Sequence, residues 1–211
     1  MIPIIPAPTS DVTSPALPSN VRRLPFALQT MGTQDYPAIA MVQAYWETLR
    51  DGRAAPVRAE IDPRPLAGAL DTLFIAEMVA PGVARLRLCG QHFNELLGME
   101  PRGMPLSMFF APEARDGLAK ALAQVAQGAR AALPLRAEKG IGKPGLDGML
   151  ALMPLADQSG AINRVLGVLE THGQVGRAPR RFRMLAVESP TVVGPRGTGK
   201  PKLQLIRGGR A

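Results

Sequence analysis

Between residues 73 and 89 the chain carries two strand-like runs with a breaker between them, and this pair limits the fold more than any other feature. Leu73–Val79 (LFIAEMV) and Val83–Cys89 (VARLRLC) flank Ala80-Pro81-Gly82. In the second run Ala84, Leu86 and Leu88 alternate with Arg85 and Arg87. Period-two alternation of this kind marks a strand with one buried and one wet face, and the two runs are expected to pair as an antiparallel hairpin. The apolar face of that hairpin then needs a cover.

The cover is readable downstream. His92–Leu97 is a short helical segment stopped by Gly98. Pro112–Gln127 is the strongest helix: Leu118, Leu122 and Val125 form its stripe, Ala fills many positions, and Gly128 ends it. Three more strand-like runs follow, Leu133–Glu138, Met149–Leu155 and Arg164–Glu170, joined by Gly-rich polar turns at 140–145 and 157–160. Hairpins at both ends favour an α+β fold: one five-stranded antiparallel sheet with its helices on one side.

An N-terminal helix precedes the sheet. Asp35 is placed to cap it, Pro37 lies in its first turn and Gly52 ends it. Ile39, Val42, Trp46 and Leu49 fall at spacings of three, four and three, an apolar stripe that must pack on the domain or on a second copy. These four residues are the expected partner or dimer helix.

Charge and proline divide the rest of the chain. Residues 1–34 hold six prolines and no helical period, which reads as a disordered arm. Residues 173–211 hold nine Lys/Arg against Glu188, a surplus equal to the net charge of the whole chain, +8. The expected division is therefore an arm over 1–34, a domain with its N-terminal helix over 35–172, and a basic, largely disordered tail over 173–211. That tail is an electrostatic footprint for nucleic acid. Phe182 is its one aromatic, however, so base stacking has little support.

Hydrophobic residues make up 46% of the chain and aromatics 4%, so Leu, Val, Ala and Met must build the core. No run approaches the 18 apolar residues of a membrane helix, and MIPIIPAPTS lacks the charged start and apolar run of a signal peptide. With Cys89 the sole cysteine, no internal disulfide can form. The expected location is the cytoplasm, with no membrane partner.

Motifs for turnover are missing. Gly194–Pro201 satisfies G-x-x-x-x-G-K, but Pro201 stands where a Mg²⁺-binding hydroxyl belongs, and ten residues remain beyond it. Glu77, Glu95, Glu100, Asp116, Glu138, Asp147 and Glu170 show no paired spacing. One Cys and two His fall short of the four ligands of a structural zinc. Cys89 and His92 stand three apart at a strand-to-helix corner. They read either as a metal, haem or reactive-thiol site or, more plainly, as a buried thiol beside an exposed imidazole. No enzyme activity is expected.

Two strands, a helical crossover and three strands is also the element order of the PAS fold. The segment RLRLCGQHFNELLGMEPRG (85–103) resembles the core of a family of short bacterial proteins with a single PAS domain. WETLR (46–50), IDPR (61–64), MPL (153–155) and RVLG (164–167) agree in order and spacing. The resemblance spans about residues 36–172. It implies a non-enzymatic regulatory and sensory module in signal transduction, with a protein partner such as a signalling kinase and a homodimer as the favoured assembly. Nucleic-acid binding through the tail is the alternative.

The resemblance also places a pocket between helices and sheet. Its expected lining is Leu86, Leu88, Phe93, Leu97, Met104, Met108, Phe109, Leu122 and Met153, a wall suited to a small apolar ligand, although ordinary core packing explains these residues equally well. The sequence requires no cofactor and leaves the identity of any ligand unknown. Flavin is disfavoured because Leu-Cys-Gly-Gln-His-Phe (88–93) departs from the Asn-Cys-Arg-Phe-Leu-Gln motif of adduct-forming PAS domains. Haem is disfavoured because Pro112–Gln127 carries no histidine, which leaves only His92 or His172 as a ligand.

Overall fold

A computed structural model describes residues 36–185. Helix α1 spans Pro37–Arg50. Proline at its start costs nothing, since the first-turn N–H groups have no partner within the helix. The end is capped from across the fold: Ile39 N–H donates to Glu170 Oε2 at 3.1 Å, which sets a carboxylate at the positive end of the helix dipole. Asp35, the expected cap, lies outside the described residues. The helix stops where Asp51 and Gly52 take positive φ, 42° and 79°.

Strands β1 (Leu73–Ala80) and β2 (Val83–Cys89) form the expected hairpin. The chain then crosses the sheet through α2 (Gln91–Leu97), two short 3₁₀ turns and α3 (Arg115–Ala126). It returns as β3 (Ala131–Ala137), β4 (Leu146–Ala156) and β5 (Ile162–His172). With a short sixth strand, β6 (Phe182–Met184), at the far edge, all strand pairings are antiparallel and the order is β2-β1-β5-β4-β3-β6. Pairing β5 with β1 places the last long strand in the middle of the sheet.

The sheet has six strands rather than the five expected. The extra one, β6 (Phe182–Met184), pairs with β3 and falls inside the stretch read as a disordered tail. Phe182 is fully buried, and its N–H···O partner Ala111 ties the strand to the crossover. The segment just before β6 is held by Arg180, 1% exposed. Its guanidinium donates to the carbonyls of Val175, Glu138 and Pro144, and its own N–H donates to Leu96 O at 2.7 Å. Through residue 185 the chain therefore belongs to the domain; residues 186–211 lie outside the described region.

Two apolar clusters sandwich the sheet. One joins α2, α3 and the crossover to Leu133, Leu135, Leu146, Leu150, Leu152 and Val165. The other joins α1, Leu66 and Ala69 to Ile75, Met149, Ala151, Met153, Leu155, Leu166 and Val168. β4 is thus covered on both faces, which is why MLALMPL reads as continuous apolar sequence rather than an alternation.

Candidate functional site

The helix-facing cluster is organised around three rings. Phe74 on β1, Phe93 on α2 and Phe109 on the crossover are fully buried. They meet edge to face, Phe74–Phe93 at 5.4 Å and Phe93–Phe109 at 5.5 Å between centroids, a geometry the ring quadrupoles favour. Two glycines permit this. A Cβ on Gly167 would sit 2.0 Å from Phe74 Cζ, and one on Gly90 would sit 2.0 Å from the Leu70 carbonyl oxygen. Gly90 thereby lets α2 start against the sheet, its N–H bonded to Leu73 O at 2.9 Å.

Of the expected pocket residues, Leu86, Phe93, Leu97, Phe109 and Leu122 come together in this cluster, with Met104 packed at its margin. Met108 is half-buried at the surface of the crossover. Two others lie elsewhere. Leu88 is 49% exposed, because the register slips between Ile75↔Leu88 and Ala76↔Leu86. The extra residue, Arg87, is a β-bulge, and beyond it every side chain changes face. Met153 faces α1, since strand alternation puts it opposite Leu150 and Leu152. Phe74, Phe110 and Leu118 also line the cluster; Phe74 had a readable signal, an apolar ring on a strand expected to be buried.

This interior offers apolar area and no charge. Among the described residues the buried charged side chains are Arg50 and Arg180, and neither belongs to it. Any molecule held here would be bound by dispersion and water release rather than by hydrogen bonds.

The Cys89 corner is different in kind. Cys89 is half-buried beside Glu100, Sγ to Oε1 3.9 Å, in a shallow cleft with Arg87, Leu88 and Arg102. Burial, followed by the charge of Glu100, pushes the thiol up to about 11, so it stays protonated and poorly nucleophilic at neutral pH. His92 is not exposed as read: its side chain is 13% accessible, and Nε2 lies 2.9 Å from Thr171 Oγ1. His172 is exposed at the end of β5, its ring 4.6 Å from that of Tyr36. Among the described residues no three His, Cys, Asp or Glu gather as a metal site. The Gly194–Pro201 motif lies outside the described residues.

The α1 stripe is occupied by the domain itself. Ile39, Val42 and Trp46 are buried against the sheet and Leu49 is half-buried, so the expected partner helix presents its other faces to solvent. Trp46 is the anchor. Its Nε1–H donates to Pro154 O at 2.8 Å, and the guanidinium groups of Arg50 and Arg130 stack over its ring at 5.5 and 5.4 Å. Glu47 bridges both, 2.6 Å to Arg50 and 3.1 Å to Arg130. Arg50 takes the turn after Trp46 that an apolar residue would otherwise fill.

An antiparallel sheet with one apolar face covered by α2, α3 and the crossover, and a second face closed by an N-terminal helix, defines the class of α+β domain. A PAS-domain family model matches residues 34–170. The chain belongs to the PAS family, whose members are sensory and signal-transducing modules, generally without enzymatic activity, that commonly mediate protein interactions and dimerisation. No curated protein matches the chain.

Solved structures with a similar fold include the light state of the blue-light photoreceptor Aureochrome1 LOV domain. It is 17% identical, TM-score 0.39, covering 53% of this chain and 88% of that one. A light-oxygen-voltage domain studied with a flavin analogue is 19% identical, TM-score 0.40, covering 53% and 84%. An RNA-binding light-oxygen-voltage receptor is 19% identical, TM-score 0.38, covering 55% and 35%.

These neighbours overturn the expectation that disfavoured flavin. The missing Asn-Cys-Arg motif concerns adduct formation and does not exclude a flavin-binding relative. The RNA binding named for one neighbour belongs to that protein, and the comparisons lend the nucleic-acid alternative no support. No described helix is long and apolar enough to cross a membrane.

Proposed function

We propose that this chain is a regulatory PAS module that acts through contacts with a protein partner of the signalling-kinase type, modulated by a small apolar ligand taken up between α2, α3 and the sheet. The observation that carries the reading is the Phe74–Phe93–Phe109 cluster, buried, free of charged groups and roofed by the short helix α2. The roof is thin: of its seven residues, Phe93, Leu96 and Leu97 point inward. A ligand that parts the rings would shift α2 and, through the Arg180–Leu96 bond, the strand at the far edge. Extraction of natively purified protein, followed by mass spectrometry and an absorbance scan, tests this. An apolar molecule at unit stoichiometry that is lost in Phe93→Asp supports it. Retention of a polar molecule, or of none across a panel of apolar compounds, refutes the ligand.

A further inference from the structure

We infer that the β3–β4 turn, with the segment leading into β6, forms a docking surface for an acidic protein partner that offers an apolar socket. The turn is pinned by backbone hydrogen bonds and displays one side chain. Gly140 and Lys143 exchange two backbone hydrogen bonds, at 3.0 and 2.9 Å, and Gly142 takes φ 69°, as the third position of a type II turn requires. From beneath, Arg177 N–H donates to Gly142 O at 2.7 Å and Lys143 Nζ donates to Pro179 O at 2.8 Å. Gly176 fits so closely that a Cβ there would lie 2.5 Å from Pro144 Cδ.

At the tip stands Ile141, 94% exposed. Nothing in the turn requires isoleucine, and a β-branched apolar residue is a poor choice for a solvated turn. Around it the charge that is not paired is positive. Lys139 lies over Gly145, Arg177 lies over Gly142, and Arg180 sits buried below with only carbonyl partners. Among the described residues Lys143, Arg177 and Arg180 form no ion pair, while the charge of Lys139 acts on Asp147 and helps hold its carboxyl low. The nearby acids are already taken, Glu138 by Arg183 and Asp147 by Arg136.

An anionic partner is the complement of this rim, and an apolar socket is the complement of its centre. A protein fits better than an anionic bilayer. One isoleucine is a weak membrane anchor, and stable attachment takes a second apolar signal, whereas a pre-organised knob loses little entropy on entering a protein socket. The inference rests on the protein-contact reading above and fixes its surface.

The test uses the full-length isotope-labelled chain and three probes: a short peptide of glutamates flanking one leucine, the same peptide with glutamine for glutamate, and phosphatidylcholine vesicles containing phosphatidylserine. The expected result is saturable shift of the amides at 139–143 and 176–181 by the acidic peptide, about tenfold tighter than the glutamine form and weakened by salt. Ile141→Ser and Arg177→Glu should each weaken it about tenfold with the thermal midpoint unchanged. Binding that ignores both substitutions, vesicle binding without peptide binding, or no binding overturns the surface. Peptide shifts confined to another face overturn it while leaving the protein-contact reading intact.

Discussion

Replacing Trp46 by alanine should bring the domain close to unfolding. The side chain is 1% exposed, and a buried tryptophan hides roughly 150–250 Å². At about 25 cal/mol per Å² that is roughly 4–6 kcal/mol of transfer free energy, in line with about 3–5 kcal/mol for aromatic-to-alanine changes in cores. The change also strips the Pro154 carbonyl of its donor, worth about 1–3 kcal/mol when the acceptor stays dry, and removes the ring that Arg50 and Arg130 stack over. A total of at least about 5 kcal/mol is expected, against about 5–15 kcal/mol for a whole domain. Trp46 is the only tryptophan, so urea unfolding should be followed by far-ultraviolet circular dichroism. Trp46→Phe keeps most of the area and loses the N–H, and should cost about 1–3 kcal/mol. A loss below about 1 kcal/mol for Trp46→Ala, with α1 still helical, would refute the view that this ring fastens the helix to the sheet.

Gly167→Ala should destabilise by about 1–3 kcal/mol or more and displace the Phe74 ring, read as altered aromatic shifts, because the new methyl falls 2.0 Å from Phe74 Cζ; native-like stability and shifts would contradict the packing. Arg180→Met should leave three carbonyls without their donor, costing about 2–4 kcal/mol and opening residues 173–185 to protease; unchanged cleavage would argue against the clasp. Alkylation of Cys89 should be slow at pH 8 and rise towards a midpoint near about 11, earlier in Glu100→Gln; fast reaction at neutral pH would contradict its surroundings. The linked stability effect has a definite sign. The folded thiol holds its proton above the ordinary value of 9.0, so stability falls as pH rises from about 9 towards about 11 and is untouched by this group below that window.

Much of this was readable in advance where local pattern and tertiary packing agree. The hairpin of β1 and β2, the Ala-rich helix α3 and the three returning strands follow from periodicity and breakers that act over a few residues. Leu88 shows where reading fails: the alternation in VARLRLC is clean, but a one-residue bulge at Arg87 turns the strand's end over, and no local signal marks it. β6 fails for another reason. Three residues within an arginine-rich stretch carry no period, and their order comes from Phe182 and Arg180 finding partners about forty residues back in the chain.

The sequence by itself determined the class of fold, the order of its first five strands and the apolar stripe of α1, because hydrophobic period and turn chemistry are local properties of the chain. Only the tertiary structure decided which face each buried residue serves. Met153 went to the α1 side because a strand covered on both faces shows no alternation to read. The stripe of Ile39, Val42 and Trp46 closed on its own sheet rather than on a partner, since the choice between two apolar surfaces depends on which of them lies within reach, and reach is a property of the folded chain.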